Sequence, residues 1–350
     1  MAGDPVIDRT PDDPRIDPRL NQLLRAMPRS GPLPQFESRD DLLALACTTE
    51  GIDQHRRDQA FYESMDDETV APSSGLRIRR YRLASKPDGN EVFLQFVRPD
   101  HRRVLPCVFY IHGGGMMAGS AFDGNYRAFA KLISANDVAV AMIDFRNSIF
   151  PSSTADVRPF PAGLDDCISG LQWTLDEADT IGIDPARVIV AGESGGANLS
   201  LGLMIQLLRD GRAGMVSGIY AMCPYIAGKW PQERYPSSIE NNGILLDLHN
   251  DLAIVSYGLE AFERRDPRAW PAFATEEDVR GFPPTMISVN ECDPLRDEGV
   301  EFYRLLLRSG VAARCRQVMG TVHGTELLVR GCPNISRDTA ASIAHFCRTL

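Results

Sequence analysis

Ser194 lies in Gly192-Glu193-Ser194-Gly195-Gly196, entered by the β-branched run Val188-Ile-Val190 and left through an apolar stretch that begins at Ala197. A serine at the apex of a strained strand-to-helix turn is exposed for nucleophilic attack only if the residues two before and two after it lack a clashing Cβ, and Gly192 and Gly196 meet that demand. A helix starting there aims its orphan N–H groups and the positive end of its dipole at the hydroxyl, so negative charge developing beside Ser194 is stabilised. An ordinary glycine-rich turn would explain the five residues alone. The strand before and the helix after favour a nucleophile.

A serine nucleophile needs a base, a group that orients the base, and donors for the oxyanion. In open α/β sheets such groups collect at the carboxyl ends of strands, and three strand ends carry candidates. His112-Gly113-Gly114-Gly115 follows an apolar run, and its free backbone N–H groups, with that of Gly195, form an expected oxyanion hole of Gly114, Gly115 and Gly195. Gly113 to Ala118 also fits the spacing of a dinucleotide-binding loop, but His112 and the separate turn at Ser194 speak against phosphate binding. Asn290 to Asp297 places Asp293 directly after another apolar run, whereas Asp297 and Glu298 read as favourable first-turn acids of the next helix. Gly320-Thr-Val-His323-Gly324 supplies a loop histidine. Of the other histidines, His55, His101 and His249 lie on polar segments and His345 in a final helix. The order Ser194, Asp293, His323 is that of α/β-hydrolases: His323 takes the serine proton and Asp293 fixes its tautomer.

The elements that must position these residues alternate. Leu76 to Leu83 and Glu91 to Arg98 flank Pro87-Asp88-Gly89-Asn90, a hairpin pattern. Val104 to Ile111, a helical piece at Tyr126 to Ser134 and Val138 to Phe145 read as strand, helix, strand, the signature of a buried parallel sheet. A helix from Ala162 to Ala178, the strand before Ser194, a helix from Ala197 to Arg209 and a strand from Val216 to Cys223 continue the pattern. It resumes with a strand at Thr285 to Asn290, a helix at Glu298 to Ser309, a strand at Ala312 to Val318 and a helix at Ser336 to Cys347. The expected class is α/β, with a mainly parallel sheet of about eight strands and helices on both faces. Between Tyr225 and Phe282 the alternation gives way to Pro-, Trp- and Tyr-rich sequence around a helix near Leu248 to Phe262. Ahead of the core, residues 1 to about 35 are rich in Pro, Asp and Arg with a short amphipathic piece at Leu20 to Met27, and one helix is expected from Arg39 to about Met65 with Leu42, Leu43, Leu45, Ala46 and Ile52 on its apolar face.

The 350 residues, 43% hydrophobic and 24% charged, are ample for a large core. A net charge of −10 argues against a nucleic-acid or anionic-membrane partner. No apolar stretch approaches the roughly 18 residues of a membrane span, and no charged-then-apolar segment with a cleavage site opens the chain, so a cytoplasmic enzyme is expected. The eight cysteines show no C-x-x-C pairing, which predicts free thiols and no zinc site.

The chain resembles the α/β-hydrolases related to hormone-sensitive lipase through His112-Gly-Gly-Gly115, Gly192-Glu-Ser-Gly-Gly196 and Asp293-Pro-Leu-Arg-Asp-Glu-Gly299. Within them it looks most like a bacterial esterase branch, through Asp144-Phe-Arg-Asn147, Pro159-Phe-Pro-Ala-Gly-Leu-Asp-Asp-Cys167 and Ala269-Trp-Pro-Ala-Phe273. The likeness spans most of residues 40 to 350. It implies a serine carboxylesterase with Ser194, Asp293 and His323 catalytic. It also implies a helical cap, so residues 1–70 are expected as arm and cap helices, 71–224 and 283–350 as the catalytic core, and 225–282 as a cap segment. Two positions depart from the wider family, which mostly carries Asp-Ser-Ala where this chain has Glu193-Ser194-Gly195, and an aromatic residue where it has Thr325. Glu193 reads as a hydrogen-bonded structural carboxylate, with a buried acid that tunes the site as the alternative.

Met116, Met117, Phe122, Tyr126, Trp230 and Tyr235 are of the types that line an apolar acyl or alcohol pocket. The expected reaction is hydrolysis of a small to medium carboxylic ester, lactones included, through an acyl-enzyme and with no cofactor or metal. The expected partner is the small-molecule ester, with no nucleic acid and no membrane, and the composition is compatible with a homo-oligomer. Amide hydrolysis, or a non-catalytic small-molecule receptor on the same fold, are the rival readings.

Overall fold

The computed structural model describes residues 13–28 and 35–350. Three helices come first, α1 (Pro18–Ala26), α2 (Arg39–Ala46) and α3 (Thr49–Glu63). The hairpin strands β1 (Leu76–Ala84) and β2 (Glu91–Pro99) lead into β3 (Leu105–Ile111), α4 (Gly124–Ser134), β4 (Ala139–Asp144), α5 (Ala162–Asp176), α6 (Ala178–Ile181), β5 (Ile183–Glu193), α7 (Gly195–Arg209) and β6 (Gly218–Met222). Short helices α8 (Ser237–Glu240), α9 (Leu252–Tyr257), α10 (Leu259–Glu263) and α11 (Glu276–Val279) precede β7 (Thr285–Asn290), α12 (Arg296–Arg308), β8 (Ala313–Val318) and α13 (Pro333–Arg348).

All eight strands form one sheet in the order β1-β2-β4-β3-β5-β6-β7-β8. Pairing is antiparallel between β1 and β2 and between β2 and β4, and parallel from β4 to β8. β3 and β4 are buried along their whole length because helices cover both faces, which is why every residue type in them is apolar or small until Asp144. Alternation divides β3 between two cores: Cys107, Phe109 and Ile111 pack with α5 and α7, while Val108 and Tyr110 pack with α4 and α13. The outer strand β1 carries exposed Arg77, Arg79, Arg80 and Arg82, charges that blunt a sheet edge.

The single helix expected over Arg39 to Met65 is two. Thr48 accepts the Gly51 N–H on its side chain and caps a new helix, so the chain turns between α2 and α3. Of the proposed apolar face only Leu42 is buried, and Ile52 is exposed. The helix expected over Leu248 to Phe262 likewise starts later and is broken at Gly258 into α9 and α10. The short piece at Leu20 to Met27 is α1, which buries Leu20 and Leu24 against Val322, Leu328 and Cys332. The Asp17 N–H donates to Gly320 O at 2.8 Å, so α1 braces the loop that carries His323. All eight cysteines are free thiols. Among the described residues no helix is long and apolar enough to cross a membrane.

Candidate active site

The turn between β5 and α7 holds Ser194 at φ 54° and ψ −120°, a conformation that a non-glycine residue adopts only when its surroundings enforce it. Close packing is what enforces it. A Cβ on Gly192 would lie 2.5 Å from the Gly196 carbonyl carbon, and one on Gly196 would lie 2.0 Å from Ile111 O. The turn is also bonded to the end of β6 and the segment after it, with Ser194 N–H donating to Met222 O at 3.0 Å and Tyr225 N–H donating to Ser194 O at 3.2 Å.

Asp293 and His323 arrive from the ends of β7 and β8. His323 Nε2 is 2.8 Å from Ser194 Oγ, and its Nδ1 is 2.8 Å from Asp293 Oδ2. Asp293 is fully buried, and its other oxygen accepts the Leu295 N–H at 2.8 Å. Burial disfavours the His323 imidazolium, but the Asp293 carboxylate, together with the Cys223 sulfur, more than offsets this and holds the imidazole pKa well above the ordinary histidine value. Thr325, at the position where an aromatic residue is usual, accepts the Val322 N–H at 3.0 Å and donates to Val322 O at 2.8 Å, winding the loop tightly around His323. Asn290 donates to the same Val322 carbonyl at 2.8 Å. Such a hydroxyl–imidazole–carboxylate chain can move a proton off the serine and return it to a leaving group.

The glycine loop faces the start of α7. Gly114 and Gly115 have φ of 91° and 62°, and among the described residues their N–H groups donate to no protein acceptor. The position a Gly195 Cβ would take is 2.9 Å from Gly115 N and 2.7 Å from Met116 N, so the two segments touch. Gly195 opens α7 and keeps the orphan N–H of a helix start. Beneath the loop, Gly113 N–H donates to Tyr126 Oη at 2.9 Å, and the Tyr126 hydroxyl donates to Glu193 Oε1 at 2.8 Å. The Tyr110 hydroxyl reaches the other Glu193 oxygen at 3.4 Å. Burial pushes the Glu193 carboxyl up to about 8. On the other side Asp144 accepts from the Ser120 hydroxyl at 2.8 Å, the Ala121 N–H at 2.7 Å and the Ser153 N–H at 2.7 Å.

The six residues expected in a pocket separate. Met116 and Met117 lie against the glycine loop and the start of α7: the Met116 sulfur lies 2.8 Å from the Gly195 Cβ position and Met117 Cε 3.1 Å from that of Gly115. The other four make contacts of their own. Phe122 lies under the Arg80 guanidinium, 4.5 Å from its ring centre, on the hairpin side. Tyr126 is the buried strut just described. Trp230 donates its indole N–H to Glu298 at 2.6 Å and stacks on Tyr225, ring centres 4.9 Å apart. Tyr235 lines a separate surface cleft with Ile226, Pro271, Ala272 and Phe302, to which neither Ser194 nor His323 contributes. Phe122, Tyr126 and Trp230 each have a polar or cationic partner remote in sequence, which their own neighbours did not reveal.

Three participants escaped sequence reasoning. Tyr225, just beyond β6 and thus at a strand end, has its ring edge 4.0 Å from the Gly115 Cβ position. His55 of α3 stacks on Phe150 with ring centres 4.4 Å apart, and the Phe150 N–H donates to Met117 O at 2.8 Å, which brings α3 to the glycine loop. Glu298 lies in the first turn of α12, as expected. It is buried, accepts Ile226 N–H at 2.6 Å, Ala227 N–H at 3.1 Å and the Trp230 indole, and burial pushes it up to about 8. The residues of the other shared motifs are scaffold: Arg146 is buried in ion pairs with Asp166 at 2.8 Å and Asp88 at 2.6 Å.

A mixed sheet that brings serine, histidine and carboxylate together at its strand ends defines an α/β-hydrolase. A family profile described as alpha/beta hydrolase fold matches residues 108–327, and the chain belongs to that family, in its hormone-sensitive-lipase-like group of serine carboxylesterases. The structure of esterase Est22 is 55% identical, covers 97% of this chain and 99% of its own, and superposes with a TM-score of 0.96. Brefeldin A esterase, a bacterial homologue of human hormone sensitive lipase, is 32% identical over 96% of this chain and 94% of its own, with a TM-score of 0.86. Carboxylesterase NlhH of Mycobacterium tuberculosis is 31% identical over 72% of this chain and 76% of its own.

Proposed function

We propose that this carboxylesterase works through Ser194, His323 and Asp293 by an acyl-enzyme route. The observation that carries the reading is the unbroken hydrogen-bonded chain from Ser194 Oγ through both nitrogens of His323 to Asp293. Ser194 Oγ attacks the ester carbonyl carbon as His323 Nε2 accepts its proton, and the carbonyl oxygen takes up negative charge facing the N–H groups of Gly114, Gly115 and Gly195. Collapse breaks the bond to the alcohol oxygen, which leaves with the proton from His323. Water then repeats the sequence on the acyl-serine. Asp293 holds the imidazole in the tautomer with its proton on Nδ1.

The substrate is a small to medium ester bordered by Met116, Met117 and Tyr225. We assign α2, α3 and residues 225–282 to a cap over the site, supported by the His55–Phe150 stack above the glycine loop and by the bonds from residues 226, 227 and 230 to Glu298. The net charge of −10 supports an enzyme that acts without a nucleic-acid or anionic-membrane partner.

Est22 has been solved with p-nitrophenol, which supports p-nitrophenyl esters as first substrates. Fluorophosphonate should label wild type at Ser194, and Ser194→Ala should lose about 10⁴-fold or more in kcat. Unchanged turnover in that variant would refute the assignment. An acyl-chain series run beside a macrolactone and an acyl anilide separates ester from lactone and amide hydrolysis.

A further inference from the structure

Cys223 stands against the site, and the ester reaction does not use it. It follows β6 with φ 35°, a left-handed conformation rare for a residue with a side chain, and it is buried. Its sulfur, one ring nitrogen of His323 and one carboxylate oxygen of Asp293 all lie within 4.8 Å of one another. Thiolate, imidazole and carboxylate are the ligand types that zinc and its thiophilic relatives take.

We propose that Cys223, His323 and Asp293 form a binding site for a thiophilic divalent cation such as Zn²⁺ or Cd²⁺, and that occupancy switches ester hydrolysis off. The second clause rests on the reading of His323 as the base. Zinc bonds of about 2.0–2.3 Å in tetrahedral array set ligand atoms roughly 3.4–3.6 Å apart, so separations of up to 4.8 Å must close by about 1 Å, and the 2.8 Å contact between His323 Nδ1 and Asp293 must open where Nδ1 is the ligand. The side chain of His323 keeps 10% of its surface open, which gives a small ion a way in. On binding, the thiol proton leaves to solvent and the ring nitrogen gives its lone pair to the ion; where that nitrogen is Nδ1, its proton passes to Nε2. A metal on Nε2 removes the acceptor for the Ser194 proton, and a metal on Nδ1 parts the ring from Asp293. Either stops the relay, and water can fill the fourth position. Mg²⁺ and Ca²⁺, which demand more ligands and oxygen donors, should not act this way.

The test has two arms. Ester turnover is titrated with Zn²⁺ and Cd²⁺ in buffer free of thiols, each variant scored against its own metal-free rate. Wild type should be inhibited and recover with a chelator, Mg²⁺ should have no effect, and Cys223→Ser should need at least about tenfold more cation, the scale on which a lost site partner weakens a metal. Cys223→Ala serves the same purpose where the serine variant does not fold. The second arm needs no turnover: Cd²⁺ is titrated into Ser194→Ala and the thiolate-to-cadmium ultraviolet band is followed. One equivalent per chain is expected, retained when exposed Cys47 is also changed to serine, lost with Cys223→Ser, and at least about tenfold weaker with His323→Ala. A band that survives Cys223→Ser, an affinity indifferent to His323, or equal inhibition of Cys223→Ser and wild type overturns the proposal. Wild-type turnover by Ser194→Ala would instead sink the catalytic assignment and leave the cadmium titration to decide the site.

Discussion

The Tyr126 hydroxyl stands between the Gly113 N–H, from which it accepts at 2.9 Å, and the Glu193 carboxylate, to which it donates at 2.8 Å. Glu193 precedes Ser194 and Gly113 opens the loop of proposed oxyanion donors, so one phenol fixes the distance between nucleophile and donors. Tyr126→Phe leaves the buried Gly113 N–H and one Glu193 oxygen without a partner, a cost of about 1–3 kcal/mol. Felt in the transition state, that lowers kcat roughly ten- to a hundredfold, with KM little changed. Steady-state kinetics on a p-nitrophenyl ester decide it. A variant with wild-type kcat would mean the loop holds its place unaided.

The raised pKa of His323 sets the acid limb of the rate profile. Attack requires neutral imidazole, so activity is lost as pH falls through a value above the ordinary histidine pKa, and the optimum lies on the alkaline side. Asp293→Asn removes the main charge that raises it. That variant should lose about 10⁴-fold in kcat, and the limb of its residual activity should move to lower pH. A limb that stays in place would assign the shift to another group.

Gly195→Ala introduces a Cβ whose neighbours would be backbone nitrogens of Gly115 and Met116 at 2.9 and 2.7 Å. The loop must retreat, and a donor displaced by about 1 Å can lose up to roughly 10²-fold in rate. Full kcat in Gly195→Ala would show that this loop already has that slack.

Glu298 gathers two backbone N–H groups and the Trp230 indole. In Glu298→Gln the amide nitrogen cannot accept from Trp230, and about 1–3 kcal/mol of stability should be lost in urea unfolding near pH 6. The carboxyl pKa is raised to about 8, so the folded state holds a proton that the unfolded chain releases earlier. Wild-type stability from this group is therefore present below the ordinary carboxyl range and lost as pH rises toward and through 8. The deficit of the variant should shrink over that window. A constant deficit would place the titration elsewhere.

What the sequence made legible was whatever depends on neighbours along the chain. Val188 to Leu199 carries its own strand, turn and helix, and the buried runs at Leu105–Ile111 and Ala139–Asp144 announce strands covered on both faces. The rest depends on partners far away. Trp230 looks like a pocket wall until Glu298, 68 residues on, takes its N–H. Tyr126 looks the same until Glu193, 67 residues on, does so with its hydroxyl. Thr48 shows the local counterpart, a single capping side chain that ends one helix and begins the next inside a polar window where no apolar period marks the break.

Ser194 and His323 are separated by 129 positions, and they meet only because β5 to β8 stand side by side. Contacts of such long separation close after local ones, since the chain must first surrender the entropy of the intervening loop. Turnover is thus a late reporter of refolding. After dilution from denaturant, helical signal should return ahead of hydrolysis, and a nick in the stretch between the two residues would be felt in the rate before it is visible in the ellipticity.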